Sequence, residues 1–201
     1  MSVHSLIKLK SLLHDIGEDE TNVILSDFSC PVNKDVESFL KRTATNFDKQ
    51  GISSTHLIFT ATGPETVLSA YFTLANKCID IPAKNLSSNM RKKVSRFSPR
   101  SGSLDIFHIA LPLIAQLGKN YANKYNALIS GNDVLSMAID TIHEAQQIIG
   151  GRFAFLECED TPKLKDFYKS NGFMEFNDRL QDYDDTDVTT GSKFIQMMRY
   201  I

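Results

Sequence analysis

The sequence predicts an α/β fold, because β-rich runs alternate along the chain with segments of helical periodicity. The most hydrophobic strand candidate is the run from Phe107 to Leu117, continuous enough to lie in the centre of a sheet. The clearest helix follows it, where apolar residues between Asn132 and Ile149 recur every three or four residues up to the stop signal Gly150-Gly151. A strand, a short helix and another strand then follow between residues 152 and 176.

The N-terminal half adds one helix and three more strand candidates. Leu6–Lys10 alternates apolar and basic residues, which fits an opening strand. Cys30–Asn46 is predicted to be a helix, and four of its apolar residues fall on one face: Val36, Phe39, Leu40 and Ala44. Thr55–Thr62 and Thr66–Ala75 are β-rich and are joined by the turn signal Gly63-Pro64, so we expect a hairpin.

The C-terminal third carries strong helix boundaries. Thr161 can cap a helix, Pro162 suits its first turn, and Gly172 can adopt the left-handed conformation just beyond its end. Strands are predicted at Phe173–Phe176 and at Lys193–Tyr200. The connection between them holds five aspartates: Asp178, Asp182, Asp184, Asp185 and Asp187. That connection is either a solvated loop or an acidic border that attracts cationic groups.

Residues 83–105 are polar and are predicted to be irregular. Phe97 lies there among five cations: Arg91, Lys92, Lys93, Arg96 and Arg100. The segment is either a solvated insertion between two strands or a patch for the phosphate groups of a ligand or of RNA.

Composition narrows the class of protein. The 201 residues suffice for one domain spanning residues 1–201. A net charge of −2 gives no general attraction to nucleic acid or to a membrane surface, and no apolar run is long enough to span a bilayer. Cys30, Cys78 and Cys158 form no CxxC pair, and no histidine spacing suggests a metal. We therefore expect a cytoplasmic protein with reduced thiols, no metal and no membrane partner.

Two phrases carry a family resemblance. The segment Phe167–Phe173 (FYKSNGF), placed after the apolar run Arg152–Cys158, resembles the last third of the GNAT superfamily of acyl-CoA N-acyltransferases. The phrase Asp27–Cys30 (DFSC), followed by Val36–Arg42 (VESFLKR), resembles the start of the branch that includes the acetyltransferase toxins of bacterial toxin–antitoxin pairs. The resemblance implies a mixed, largely antiparallel sheet of six to seven strands with helices on both faces, and acetyl-CoA as cofactor.

The strand–loop–helix unit from Leu117 to Met137 is the predicted cofactor site. Free N–H groups and the dipole at a helix start favour an anion, and Ser130 with Asp133 resembles a capping box. The family pattern Q/R-x-x-G-x-G/A corresponds here to Asn126–Gly131, of which only the last glycine matches, and Lys119 or Lys124 could replace the missing cation. The alternative is an ordinary connection. The resemblance implies these contacts: Leu117, Gly118, Lys119, Lys124, Ile129, Ser130, Gly131, Asn132, Asp133 and Thr161.

In the same resemblance, Tyr168 points at the sulfur of coenzyme A and is the candidate general acid. Glu157, at a strand end, is the candidate base, or water relays the proton; Tyr168 could instead be a packing residue. The implied reaction moves an acetyl group to a primary amine of a small molecule or a peptide-like acceptor. The alternatives are a toxin acting on aminoacyl-tRNA and a catalytically degenerate GNAT-fold binding protein. Charged tRNA and a second copy of the chain are further candidate partners.

Overall fold

A computed structural model describes residues 3–102, 104–180 and 193–201. Seven strands form one sheet in the order β1-β2-β3-β4-β5-β7-β6. Their bounds are β1 His4–Lys8, β2 Ser54–Thr62, β3 Glu65–Pro82, β4 Ile106–Lys119, β5 Phe153–Glu159, β6 Met174–Leu180 and β7 Lys193–Tyr200. The pairs β1–β2, β2–β3, β5–β7 and β6–β7 are antiparallel. The predicted α/β class and the largely antiparallel sheet are confirmed.

Seven α-helices accompany these strands in the described part of the chain: α1 Leu9–Ile16, α2 Glu18–Ser26, α3 Lys34–Ser38, α4 Ala44–Gln50, α5 Ser88–Val94, α6 Gly131–Ile149 and α7 Pro162–Ser170. A π-helical turn, Phe39–Thr43, links α3 to α4. Short 3-10 helices lie at Ala83–Asn85 and Ala122–Ala127. No helix among the described residues is long and apolar enough to cross a membrane.

The chain divides into two compact units. The first unit consists of Met1–Ala75 and Ile114–Ala138, and the second of Asn76–Leu113 and Ile139–Ile201. That all 201 residues act as one domain stays a prediction.

The first unit contains the predicted hairpin of β2 and β3. The two strands pair from Ser54↔Leu74 to Thr62↔Glu65 around the Gly63-Pro64 turn, with an irregularity between Ile58 and Phe59. The opening strand begins and ends two residues earlier than predicted, because Leu9 and Lys10 already belong to α1. Buried side chains of the first segment form a core cluster of this unit, among them Leu9, Leu25, Phe28, Leu40, Leu57 and Tyr71. The partly buried Tyr121 of the second segment packs against them.

The helix predicted over Cys30–Asn46 is only partly correct. It begins at Lys34, because the Asn33 side chain accepts a hydrogen bond from the Val36 N–H at 3.2 Å and so caps the first turn. It then passes through the π-helical turn and continues to Gln50, four residues beyond the predicted end. The Cys30 N–H lies outside the helix and donates to Glu37 Oε2 at 2.7 Å, which ties the preceding segment to α3.

In the second unit, the irregular segment predicted for residues 83–105 contains a helix. Ser87 caps α5 by accepting from the Met90 N–H at 3.2 Å. Met90 and Val94, four residues apart, are buried with Ile81, Phe107 and Phe155, as well as other core residues of this unit. A purely solvated insertion is therefore wrong: one face of α5 is core, and the other carries the charges.

Candidate functional site

The start of α6 in the first unit is closed by a capping box. The Asp133 N–H donates to Ser130 Oγ at 3.1 Å, and the Ser130 N–H donates to Asp133 Oδ2 at 3.1 Å. The Ser130 hydroxyl also donates to the same carboxylate oxygen at 2.6 Å. These hydrogen bonds, the side-chain one first, lower the pKa of Asp133, so its carboxylate stays ionised. The predicted cap is confirmed, and it shows that two N–H groups of the candidate cofactor loop already have internal partners.

The two candidate cations of this loop differ in their surroundings. Lys119 Nζ donates to the carbonyl oxygens of Asn126 at 2.8 Å and Ile129 at 3.2 Å, so its ammonium holds the loop together from inside. Lys124 is exposed, has a left-handed backbone (φ 63°), and its ammonium has no partner among the residues that the structure describes. The charge that can meet a phosphate without breaking an internal bond is therefore that of Lys124.

Asn120 fixes the first turn after β4, and no motif in the sequence predicts this role. Its side chain is buried and makes three hydrogen bonds: Oδ1 accepts from the N–H groups of Ser29 (2.9 Å) and Ala122 (3.0 Å), and Nδ2 donates to Leu68 O (2.8 Å). An asparagine after a strand is typical of any loop. Only the fold shows that its partners come from residues 91 and 52 positions away along the chain.

Gly118 lies where a side chain cannot fit. A Cβ built on it would approach Val36 Cγ1 within 3.0 Å and Tyr71 Cε1 within 3.3 Å. The absence of a side chain thus lets α3 pack against the end of β4, and the Tyr71 hydroxyl donates to Val36 O at 2.6 Å in the same layer. Contact of the Leu117, Gly118 and Lys119 N–H groups with a thioester stays a prediction.

Tyr168 of the second unit lies on α7, whose two ends are formed as predicted. Thr161 Oγ1 accepts from the Leu164 N–H at 3.4 Å and caps the helix. At the other end the N–H of Gly172 donates to Lys169 O and that of Phe173 to Tyr168 O, both at 3.0 Å, with Gly172 at φ 79°. These two bonds form a Schellman motif, which fixes the backbone carrying Tyr168.

The hydroxyl of Tyr168 is available. Its ring packs edge-on against Phe167 and Phe173, at centroid distances of 5.0 and 5.9 Å, and its hydroxyl makes no hydrogen bond to any described residue. Burial raises the pKa of the phenol well above its ordinary value, and the neighbouring Cys158 adds to the rise. Tyr168 is therefore protonated at physiological pH, and its role as general acid stays a prediction, with packing as the alternative.

Glu157 lies at the centre of a charged network. Its carboxylate accepts from Arg179 Nε at 2.9 Å and Gln196 Nε2 at 2.9 Å, and Lys77 Nζ lies 3.4 Å away. Burial alone would raise the pKa of Glu157, but the hydrogen bonds from Arg179 and Gln196 and the two positive charges outweigh it and lower the pKa. A carboxylate with a lowered pKa is a weak base, so this network favours a structural or electrostatic role for Glu157.

The structure thus brings the predicted residues into two groups. Lys119, Ile129, Ser130, Gly131, Asn132 and Asp133 meet at the start of α6, and Glu157, Thr161 and Tyr168 belong to the second unit. Of the predicted acidic border, Asp178 lies in β6 and pairs with Lys193 at 3.2 Å. The rest of that border, residues 181–191, lies outside the described residues. No group of three metal-ligating side chains exists among the described residues.

Comparison with known proteins identifies the fold. No family model matches the sequence, and no curated protein matches it. Solved structures do match. AtaT complexed with acetyl-methionyl-tRNAfMet has a TM-score of 0.64 and 18% identity, and the match covers 96% of this chain and 94% of that one. A Tyr-to-Phe mutant of KacT has a TM-score of 0.61 and 15% identity, with coverages of 96% and 94%, and AtaTR bound with AcCoA has a TM-score of 0.55 and 17% identity, with coverages of 96% and 92%. Such identities establish the fold alone. The fold implied by the resemblance to the toxin branch of the GNAT superfamily is confirmed over nearly the whole chain.

Proposed function

We propose that the chain is an acetyl-CoA-dependent N-acetyltransferase whose acceptor is the amino group of an aminoacyl-tRNA. The observation that carries the proposal is the match, over 96% of this chain, to AtaT complexed with acetyl-methionyl-tRNAfMet, a charged tRNA that bears an acetyl group. The match to AtaTR bound with AcCoA also covers 96% of this chain. These matches favour the tRNA alternative over the small-molecule or peptide-like acceptor expected first from the sequence. Because AtaT is also solved bound to the C-terminus of the antitoxin AtaR, a peptide segment of a partner protein is a proposed inhibitor.

The residues at the start of α6 fit the pyrophosphate of acetyl-CoA. A helix N-terminus attracts anions, Gly131 leaves its backbone uncovered, and the ammonium of Lys124 lacks a partner among the described residues. The ionised Asp133 opposes a second anion there, so Lys124 must offset it. We expect the Lys124→Gln substitution to weaken acetyl-CoA binding.

Acetyl-CoA should raise the melting temperature, because a ligand bound only by the native state stabilises it by mass action. Gly131→Val should remove that shift by placing a branched side chain on the loop. Gly102→Val is the matched control, since a Cβ at Gly102 meets nothing within 4 Å. An unchanged shift in Gly131→Val would place the cofactor elsewhere.

When bound, acetyl-CoA supplies an acetyl group activated as a thioester. In the reaction, the Tyr168 hydroxyl holds a proton and releases it to the departing thiolate of coenzyme A. The pKa of the corresponding thiol is about 8.5. The raised pKa keeps that hydroxyl protonated but also makes the phenol a weaker acid, so the hydroxyl first stabilises the developing thiolate by donating a hydrogen bond to it. The Schellman motif at Gly172 holds the backbone of Tyr168 in place. The amine loses its proton to water, because Glu157 is held as a weak base.

Tyr168→Phe should lower kcat by roughly 10²-fold or more while leaving the acetyl-CoA melting shift intact. Tyr200→Phe is the matched control, because its ring also packs edge-on against a phenylalanine of the same unit. Equal turnover by Tyr168→Phe would leave that residue as packing only.

The acceptor is tested with labelled acetyl-CoA and two panels, charged tRNAs and free amines such as amino acids and polyamines. We expect label only on the charged tRNAs, and steep inhibition by salt. Label on free amines but not on tRNA would restore the small-molecule assignment. Acetyl-CoA binding with no transfer to either panel would identify a catalytically degenerate binding protein.

A further inference from the structure

A second concave site lies within the second unit, where α6 ends and β5 begins. The cavity has a volume of about 500 Å³. Its wall combines Phe97, which follows α5, with His143 and Gln146 of α6 and the segment Gly150–Arg152. None of these residues was assigned to the acetyl-transfer site.

Phe97 offers a rigid aromatic face. Its side chain is 41% exposed, which is unusual for a phenylalanine, yet its ring is held edge-on against Phe153 at a centroid distance of 5.6 Å and an angle of 85°. Phe153 is held in turn against Tyr200, and Lys93 Nζ lies 4.1 Å from the Tyr200 ring centroid. The exposed ring is therefore already ordered, so a flat ligand can stack on it without the cost of fixing a mobile side chain.

Two polar atoms of the wall lack partners. Gln146 is 6% exposed, and its Nε2 donates to Phe153 O at 2.7 Å, but its Oε1 is buried without a hydrogen bond to any described residue. His143 Nδ1 is in the same situation. A buried polar group without a partner is costly, so a ligand that carries both donors and acceptors on a flat ring would gain from this wall.

Arg152 brings a positive charge to the cavity wall, and the neighbouring basic segment holds further cations. The side chains of Lys92, Arg96 and Arg152 are exposed and have no ionic partner among the described residues. By contrast, Arg91 Nε donates to Leu86 O, and Arg100 pairs with Asp105. None of the described residues that line the cavity is acidic. Within the basic segment, Arg91 and Arg100 are thus held by partners in the fold, whereas Lys92 and Arg96 are exposed and can meet a ligand.

We propose that this cavity binds a nucleotide, with the base stacked on Phe97, base-edge groups meeting Gln146 and His143, and the phosphate held by Arg152. Stacking on an aromatic ring beside arginines is the way proteins hold unpaired bases. The same chemistry is offered by a free mononucleotide and by an unpaired residue of an RNA. The inference does not depend on acetyl transfer, since none of its residues belongs to that site.

The test uses two fluorescent probes, aminopurine riboside monophosphate and a short single-stranded oligoribonucleotide carrying one aminopurine. The chain contains no tryptophan, so its own emission does not interfere. Stacking should quench the probe. We expect Phe97→Ala and the more conservative Phe97→Leu each to weaken binding at least about fivefold, since base–aromatic stacking is lost in both. Arg152→Gln should reduce the slope of log affinity against log salt by about 0.7, the value for one phosphate of a single strand.

Ile148→Ser is the control, because Ile148 is 86% exposed on the same end of α6 and takes no part in stacking. Binding of the monophosphate identifies a free-nucleotide site, and binding of the oligonucleotide alone identifies an RNA site. Both outcomes support the proposal. It is overturned if neither probe is quenched, if Phe97→Leu binds like the parent protein, or if Ile148→Ser abolishes binding, which would indicate an apolar docking surface. Acetyl-CoA stabilisation should be unchanged in all these variants, which separates this test from that of acetyl transfer.

Discussion

Gly118→Ala is the substitution whose effect the structure predicts most directly. The added Cβ would lie within 3.0 Å of Val36 Cγ1, and the next atoms, of Tyr71 and Phe28, are at 3.3 and 3.4 Å on fully buried rings. The backbone of Gly118 is not left-handed, so alanine is conformationally allowed and the whole effect is steric. Overpacking of this kind costs about 2 kcal/mol, which for a chain of this size lowers the melting temperature by about 4–8 °C.

The mechanism is tested by removing the obstructing group. Val36→Ala alone deletes two buried methyl groups at about 0.8 kcal/mol each, so it should cost about 1.6 kcal/mol plus a cavity contribution. In the double variant the new Cβ occupies the space left by Val36 Cγ1. The double variant should therefore be no less stable than Val36→Ala, which corresponds to a coupling of about 2 kcal/mol.

Urea denaturation of the four proteins measures this cycle. Gly102→Ala is the control, because its Cβ meets nothing within 4 Å, and it should change stability by less than about 0.5 kcal/mol. Additive losses in the double variant, within about 0.5 kcal/mol, would refute the steric reasoning.

Three further predictions concern polar groups. Burial, and then the charge of Lys8, lowers the pKa of His56 to about 4. As pH falls, the unfolded state therefore binds the proton first, and up to about 3 kcal/mol of stability is lost between about pH 6.5 and pH 4. His56→Phe can still stack on Phe72 and should make the melting temperature less dependent on pH in this range. Asn120→Ala should cost about 3 kcal/mol in urea denaturation, because it strands three backbone groups. Asn120→Asp keeps both accepted bonds but places a buried carboxylate oxygen against Leu68 O, so its loss should be smaller at acidic pH than at neutral pH; a loss independent of pH would contradict this. Glu157→Gln should cost about 2 kcal/mol at neutral pH. Because folding lowers the pKa of Glu157, the difference from the parent protein should shrink as pH falls below the ordinary range of a carboxyl group; a constant difference would exclude the charge network as its cause.

The features that the sequence predicted well are those made by neighbours along the chain. The capping box of Ser130 and Asp133 spans three residues, and the left-handed stop at Gly172 closes on Lys169 and Tyr168. Such bonds form wherever the backbone turns into or out of a helix, so residue type and spacing are enough to place them.

The features that could not be predicted depend on distant partners. The resemblance makes Glu157 a candidate base, whereas the fold brings Lys77, Arg179 and Gln196 to its carboxylate from three other strands. Helix α5 was missed because only Met90 and Val94 of its seven residues are buried, so its apolar pattern is too sparse to stand out among the charges. The resemblance indicated Tyr168, but only the fold shows that its hydroxyl is unused by any described residue.

The π-helical turn at Phe39–Thr43 determines which side of α3 faces the same way as the buried side of α4. Helix α3 carries Val36, which lies against Gly118. The buried residues Val36, Leu40, Ala44 and Asp48 repeat every fourth position, whereas a regular α-helix needs 3.6 residues per turn and would carry such a row steadily off the face. The wider turn corrects this drift, so the α3 end and the α4 end present one common face. Loss of one residue from the turn would rotate α3 by about 100° relative to α4. Length at this point is therefore under tighter constraint than residue type, and such a deletion should abolish the energetic coupling between positions 36 and 118.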